Sequence, residues 1–195
     1  MKCRIGPALV CAIFISCLVT SAFAQHIDQH LRTPRPRLFF TTEKLERLRE
    51  RISTDAMFKE AWNGLLGRAN HLLEQELVSK EYAEGGSGQH GNYKRPSSQI
   101  SNMGGTLGLV YQMTGEKRHA EKLRDTLIHY SSLTRWAGDA HHDPPWHSEL
   151  NTARFCYGYA LGYDSLYDFL SEGERKTITG AMVRLGILPT LNDWV

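Results

Sequence analysis

The chain has 195 residues, with 23 Lys+Arg against 21 Asp+Glu and a formal net charge of +2 at pH 7. Lys2 and Arg4 belong to an N-terminal leader; without them the balance is 21 against 21. No polybasic run remains, which argues against a nucleic-acid-binding surface. Only Cys156 of the four cysteines lies outside the leader, so the rest of the chain has no internal disulfide framework.

The leader is MKCRIGPALVCAIFISCLVTSAFA: a short basic start, an apolar run, then Ala22-Phe23-Ala24. This is the pattern of a secretory signal, residues 1–24, cleaved before Gln25. The apolar run is too short and too interrupted for a membrane anchor. Residues 25–195 are therefore expected as one periplasmic or secreted domain, with no membrane attachment after cleavage.

Beyond residue 40 nearly everything reads as helix. TTEKLERLRERI places Leu45, Leu48 and Ile52 at i, i+3 and i+7 behind threonine caps. The next run carries Phe58, Trp62, Leu65, Ala69, Leu72 and Leu73 on one face. KEYAEGGSGQHGNYKRPSS follows without an apolar period and reads as a Gly-rich loop. SQISNMGGTLGLVYQMTG and EKRHAEKLRDTLIHYSSL then predict a helical hairpin closed at Thr114-Gly115. Gly104, Gly105 and Gly108 are costly inside a lone helix and predict close helix–helix contact. HHDPPW interrupts, helicity resumes through SELNTARFCYGYALGYDSLYDFL, and Ser171 with Glu174 forms a capping-box pattern opening the last helix. The fold class is all-α, built of successive helical hairpins. Such hairpins stack as solenoids or toroids, and the absence of a fixed 34-residue spacing argues against a tetratricopeptide array.

The phrases PRPRLFFTTEKLERLRERI, YQMTGEKRHAEKLRD and ALGYDSLYDFLSEGERKTI, in that order, resemble the N-terminal helical domain of the heparinase II/III-like polysaccharide lyases. That group includes alginate lyases of related architecture, and the similarity spans essentially all of residues 25–195. The resemblance implies an incomplete (α/α) toroid followed by a β-rich region. It also implies β-elimination on a uronate-containing acidic polysaccharide. That reaction needs a neutralised carboxylate, removal of the C5 proton and protonation of the leaving oxygen, tasks for Asn, His and Tyr. The family's Asn/His pair lies on a later helix than the chain reaches, and Asn70-His71 sits in an amphipathic run that does not match it. No catalytic residue is therefore assigned. The expectation is the front portion of a lyase, truncated at its C-terminus and inactive alone, whose remainder is an expected partner.

The segment HHDPPWHSELNTAR, residues 141–154, concentrates the polar chemistry. As a metal site, His141, His142, Asp143, His147 and Glu149 are acceptable ligand types without a recognised spacing, and Pro144-Pro145 separates them. Neither a metal nor a cofactor is expected. As the lip of a sugar groove the segment fares better. Trp146 offers a face for a pyranose ring, and Arg154 suits a uronate carboxylate or sulfate. Asn151 and Arg154, three apart, can share a helix face; Glu149 lies roughly 200° from Asn151. The plainer reading makes Trp146 a core anchor, Glu149 a first-turn acid and Arg154 a surface salt-bridge partner. Tyr93, in the Gly-rich loop, is a further candidate contact on a lid. Tyr159, Tyr163 and Tyr167 form one stripe that more often means core packing, and Cys156 in an apolar run reads as an inert thiol. Asp164 and Asp168 would supply a glycosidase's acid pair. Two alternatives to the lyase thus stay open: a non-catalytic helical carbohydrate-binding or scaffold protein, and a glycoside hydrolase on an α/α barrel.

Overall fold

Helix α1, Thr42–Thr54, starts where the Thr41 hydroxyl accepts from the Lys44 N–H, and it turns Leu45 inward. Asp55 then ends α1 and opens α2, Ala56–Glu74, by accepting from the Met57 and Phe58 N–H groups. One carboxylate thus makes the corner of the first hairpin. These assignments come from a computed structural model that describes residues 34–86, 91–138 and 146–194. The leader and residues 139–145 lie outside the described residues, and with them the expected signal peptide and the candidate ligands His141, His142 and Asp143. The helices belong to the unit that begins at Arg35.

The described parts of the Gly-rich stretch, on either side of residues 87–90, are partly helical. Lys80–Glu84 forms a short helix, α3, capped by Ser79. Helix α4, Lys94–Thr114, begins four residues earlier than the apolar period indicates. Pro96 falls in its first turn, where an intrahelical N–H is not needed. Gly115, with φ 72°, ends α4 in the left-handed region, and α5, Lys117–Ser131, returns alongside. Helix α6 is Leu150–Leu166, and α7, Glu172–Ala181, opens with the reciprocal Ser171/Glu174 capping box. The chain then winds wider as a π-helical turn, Met182–Ile187, before α8, Leu188–Trp194. Pro189 has no N–H for the carbonyl four residues back, and a widened turn immediately before it relieves the conflict. Among the described residues no strand occurs. The fold is all-α and made of helical hairpins. None of its described helices is long and apolar enough to cross a membrane.

Helix α4 is the hub, packing against α2, α5 and most extensively α6. Glycine makes that approach possible. A methyl group on Gly104 would fall on the Gly158 carbonyl oxygen, and one on Gly158 would lie 2.5 Å from the Ile100 carbonyl oxygen. Gly108 meets Ser165 in the same seam, whereas Gly105 has only Leu161 at 3.8 Å. Two of the three glycines marked by the sequence therefore mark contact, and Gly105 does not. Below the seam, Trp136 stacks on Phe155 at 4.9 Å and leans on Tyr159 at 4.5 Å, all fully buried. Tyr159 donates its hydroxyl to the Leu127 carbonyl at 2.7 Å, and burial drives its phenol pKa far up. It is a core residue, as the stripe predicts. A buried polar knot ties the loop before α3 to the hub: the Val78 N–H donates to Gln99 Oε1 and the Tyr130 hydroxyl, which itself donates to Gln99.

Candidate functional site

The first turn of α6 is bolted down by its own polar residues. Glu149 occupies the N-cap and forms a capping box with Thr152. Its Oε1 also accepts from the Gly138 N–H at 3.0 Å and from Asn151 Nδ2 at 2.8 Å. Asn151, only 3% exposed, accepts the Ser97 hydroxyl at 3.0 Å, which pins α6 to the start of α4. The sequence points to both residues as sugar contacts, and both direct their polar atoms into the protein instead. A buried amide or carboxylate left unpaired would cost on the order of 1–3 kcal/mol, so these contacts have strong first use at home.

Arg154 behaves differently. It is exposed on α6 and, with Lys94, Leu150 and Asn151, lines a cleft of about 230 Å³. Among the described residues neither Arg154 nor Lys94 has a carboxylate partner. Lys94 is a contact that the sequence pattern does not announce. The KRP string precedes the apolar period, and only the early start of α4 carries it to α6. As expected, Asn151 and Arg154 do line one cleft, although Asn151 presents little surface there.

Trp146 faces another depression. Its ring, 45% exposed, lies 6.2 Å from Trp194 at 38°. The two bound a groove of about 530 Å³ between α6 and the C-terminal helix, floored by Leu150, Ala153, Cys156, Ile187 and Leu191. Leu150 lines both groove and cleft. Trp146 is thus neither a core anchor nor a lone platform, but one wall of an apolar trough. Burial raises the Cys156 thiol pKa, which agrees with an unreactive residue.

Asp193 holds the trough together. Its side chain, 2% exposed, accepts the His147 and Ser148 N–H groups, the Ser148 hydroxyl at 2.6 Å and the His147 imidazole at 2.9 Å. Burial alone would raise its pKa; the Ser148 hydroxyl and the His147 contacts outweigh that and hold the carboxyl at about 2. This accounts for His147, whose imidazole is oriented by Asp193, while Glu149 is turned to the helix cap. Among the described residues no group of three or more His, Cys, Asp or Glu side chains is arranged to hold a metal ion. The linkage has a sign. The folded pKa lies below the ordinary 3.8, so the stabilisation is complete above pH 3.8 and is lost as pH falls toward 2. Asp193→Asn should lower stability near neutral pH by about 2 kcal/mol and flatten the acid limb over that window. Urea midpoints measured across it check this; parallel curves for both proteins would refute it.

Tyr93 corrects the expectation of a lid contact. Its ring is fully buried in the core at the start of α4, where desolvation raises its phenol pKa, and Arg135 lies over it at 5.9 Å. An aromatic ring in a polar, glycine-rich string is read as exposed because no periodic neighbour announces its burial. Asp164 and Asp168 do line one pocket of about 230 Å³, but Asp164 is committed to holding the fold. Asp164, buried, accepts Arg35 Nη1 at 2.9 Å and the Arg37 and Leu38 N–H groups at 2.8 Å each. Both its oxygens serve to dock the segment before α1, a structural task for this carboxylate. Arg35 in turn lies over Tyr167 at 4.3 Å and Tyr163 at 5.2 Å, which explains the outer part of the tyrosine stripe. No family model and no curated protein matches the chain.

Proposed function

We propose that the chain is the N-terminal helical portion of a secreted or periplasmic polysaccharide lyase, part of an incomplete (α/α) toroid that holds a uronate-containing polysaccharide beside the first turn of α6. The resemblance of three ordered phrases supplies the family. The supporting structural observation is the pair Lys94 and Arg154: two exposed cations at one cleft, neither neutralised by a described carboxylate. A guanidinium takes a carboxylate or sulfate in bidentate fashion, and a neighbouring ammonium adds an unshared charge. On this reading the portion contributes substrate contacts and is inactive alone, the proton-transfer residues coming from the remainder of the lyase.

The test is titration of a uronate oligosaccharide into the protein by calorimetry. Arg154→Ala should weaken binding about tenfold, in line with roughly 1.5–3 kcal/mol for a charge-assisted hydrogen bond. The double variant with Lys94→Ala should abolish it, and a neutral glucan should not bind. Equal affinity of wild type and double variant would reject the cleft. The non-catalytic binder uses the same cleft and is separated by products. A lyase completed by its remainder releases an unsaturated uronate that absorbs in the ultraviolet, and a binder releases nothing.

A further inference from the structure

We propose that the acid-binding cleft continues past Lys94 onto Arg95 and Tyr82, and that its ligand is a glycan carrying acid groups on neighbouring rings. This deepens the carbohydrate reading of the cleft and rests on it. Lys94 and Arg95 are consecutive exposed residues in the first turn of α4. Lys94 lines the cleft together with Arg154. Arg95 turns to α3 instead, where its guanidinium lies 5.2 Å from the centre of the Tyr82 ring. No described carboxylate pairs with Lys94, Arg95 or Arg154, which leaves three cations along one stretch of surface.

The stacked pair is held in place. Ser79 caps α3, and Asn92 Nδ2 donates to the Tyr82 carbonyl at 2.8 Å, which ties this short helix to the residues just before α4. Tyr82 stays 43% exposed, so the pair stands at the surface. A guanidinium lying over a ring keeps its N–H edge open to a carboxylate or sulfate. The acids of α3 do not compete for it. Glu81 accepts its own N–H and the Ser79 hydroxyl, and Glu84 accepts the Thr134 N–H at 2.7 Å and its hydroxyl at 3.0 Å. Spacing sets the ligand. Successive residues leave a helix about 100° apart, which on a cylinder roughly 10–12 Å across separates the Lys94 and Arg95 heads by on the order of 8–9 Å. One carboxylate is too small to serve both, whereas acid groups on two joined rings reach both.

The probes are galacturonic acid and its trimer, each titrated into the full chain and followed by NMR. The trimer should bind at least tenfold more tightly than the monomer, beyond the roughly threefold that three equivalent carboxylates give by number alone. Arg95→Ala, at an exposed position, should cut that advantage to about threefold and leave the affinity for the monomer unchanged. Tyr82→Ala, which takes away the ring under the guanidinium, should weaken the trimer by at least about threefold with the monomer again unchanged. A tenfold advantage that persists in Arg95→Ala would overturn the proposal, as would a wild type that gains no more than the number of carboxylates explains. The double variant Lys94→Ala with Arg154→Ala separates the two readings. Loss of monomer binding there, beside a persisting advantage in Arg95→Ala, keeps the cleft and removes only its extension; unchanged monomer binding removes both.

Discussion

Gly158→Ala should be the most damaging single methyl group in this protein. The added carbon would sit 2.5 Å from the Ile100 carbonyl oxygen and 2.8 Å from the Ser101 nitrogen, both backbone atoms of α4. A side chain can swing aside, but a helix backbone yields only if the whole α4–α6 seam opens. Overpacking usually costs about 1–3 kcal/mol, and this contact belongs at or beyond the upper end because nothing flexible absorbs it. A loss of about 3 kcal/mol corresponds to a melting temperature lowered by roughly 6–12 °C for a unit of this size. Gly104→Ala, striking Gly158 from the other side, should cost as much. Gly105→Ala is the internal control. It meets only Leu161 at ordinary contact distance, so its gain in helix propensity of up to about 1 kcal/mol should leave stability unchanged or slightly raised. If thermal melts gave Gly158→Ala and Gly105→Ala the same midpoint, the close crossing of α4 and α6 would be wrong.

Asp164→Ala should release the segment ahead of α1 and cost about 3 kcal/mol. Removing one partner of a buried ion pair typically costs about 3–5 kcal/mol, because the other charge is left unpaired. Arg35 is 19% exposed and regains some water, which places the expected loss at the low end. Two main-chain N–H groups, of Arg37 and Leu38, lose their acceptor at the same time. Arg35→Ala should be milder, since the carboxylate keeps both of those donors. Trypsin provides the local readout: cleavage after Arg37 should accelerate strongly in Asp164→Ala and only slightly in Arg35→Ala. Equal rates in wild type and Asp164→Ala would remove Asp164 from this role.

The hairpins are legible in the sequence because amphipathic period, caps and glycine punctuation all act locally. Thr41, Ser171 with Glu174, and Gly115 do in the fold what their positions announce. The candidate site is only half legible, for a physical reason. That no described carboxylate pairs with Arg154 is a matter of what does not come near it, and its neighbour in the cleft, Lys94, lies 60 residues away. Glu149 and Asn151 are the residue types that bind sugars, yet the same donors and acceptors serve a helix start that would otherwise leave buried groups unsatisfied. Residue type offers chemistry; only the tertiary fold decides whether the protein itself has already used it. Tyr93 and Asp193 show the same limit, since neither stands in a pattern that foretells its burial.

The widened turn at Met182–Ile187 also sets the angular phase of everything after it. An uninterrupted α-helix carrying Ile178, Ala181 and Leu185 inward would next bring residues 188 or 189 and then 192 to that side, at about 100° per residue. One extra residue in the turn advances the sequence by one step, so Leu185 and Gly186 are both buried and Pro189 and Asp193 follow inward. Without that step Asn192, an uncharged amide, would point toward the Ser148 loop, and Asp193 and Trp194 would rotate off it. Deleting a single residue within 182–187 therefore amounts to a screw rotation of helix α8, exchanging the carboxylate clasp and the paired indoles for solvent.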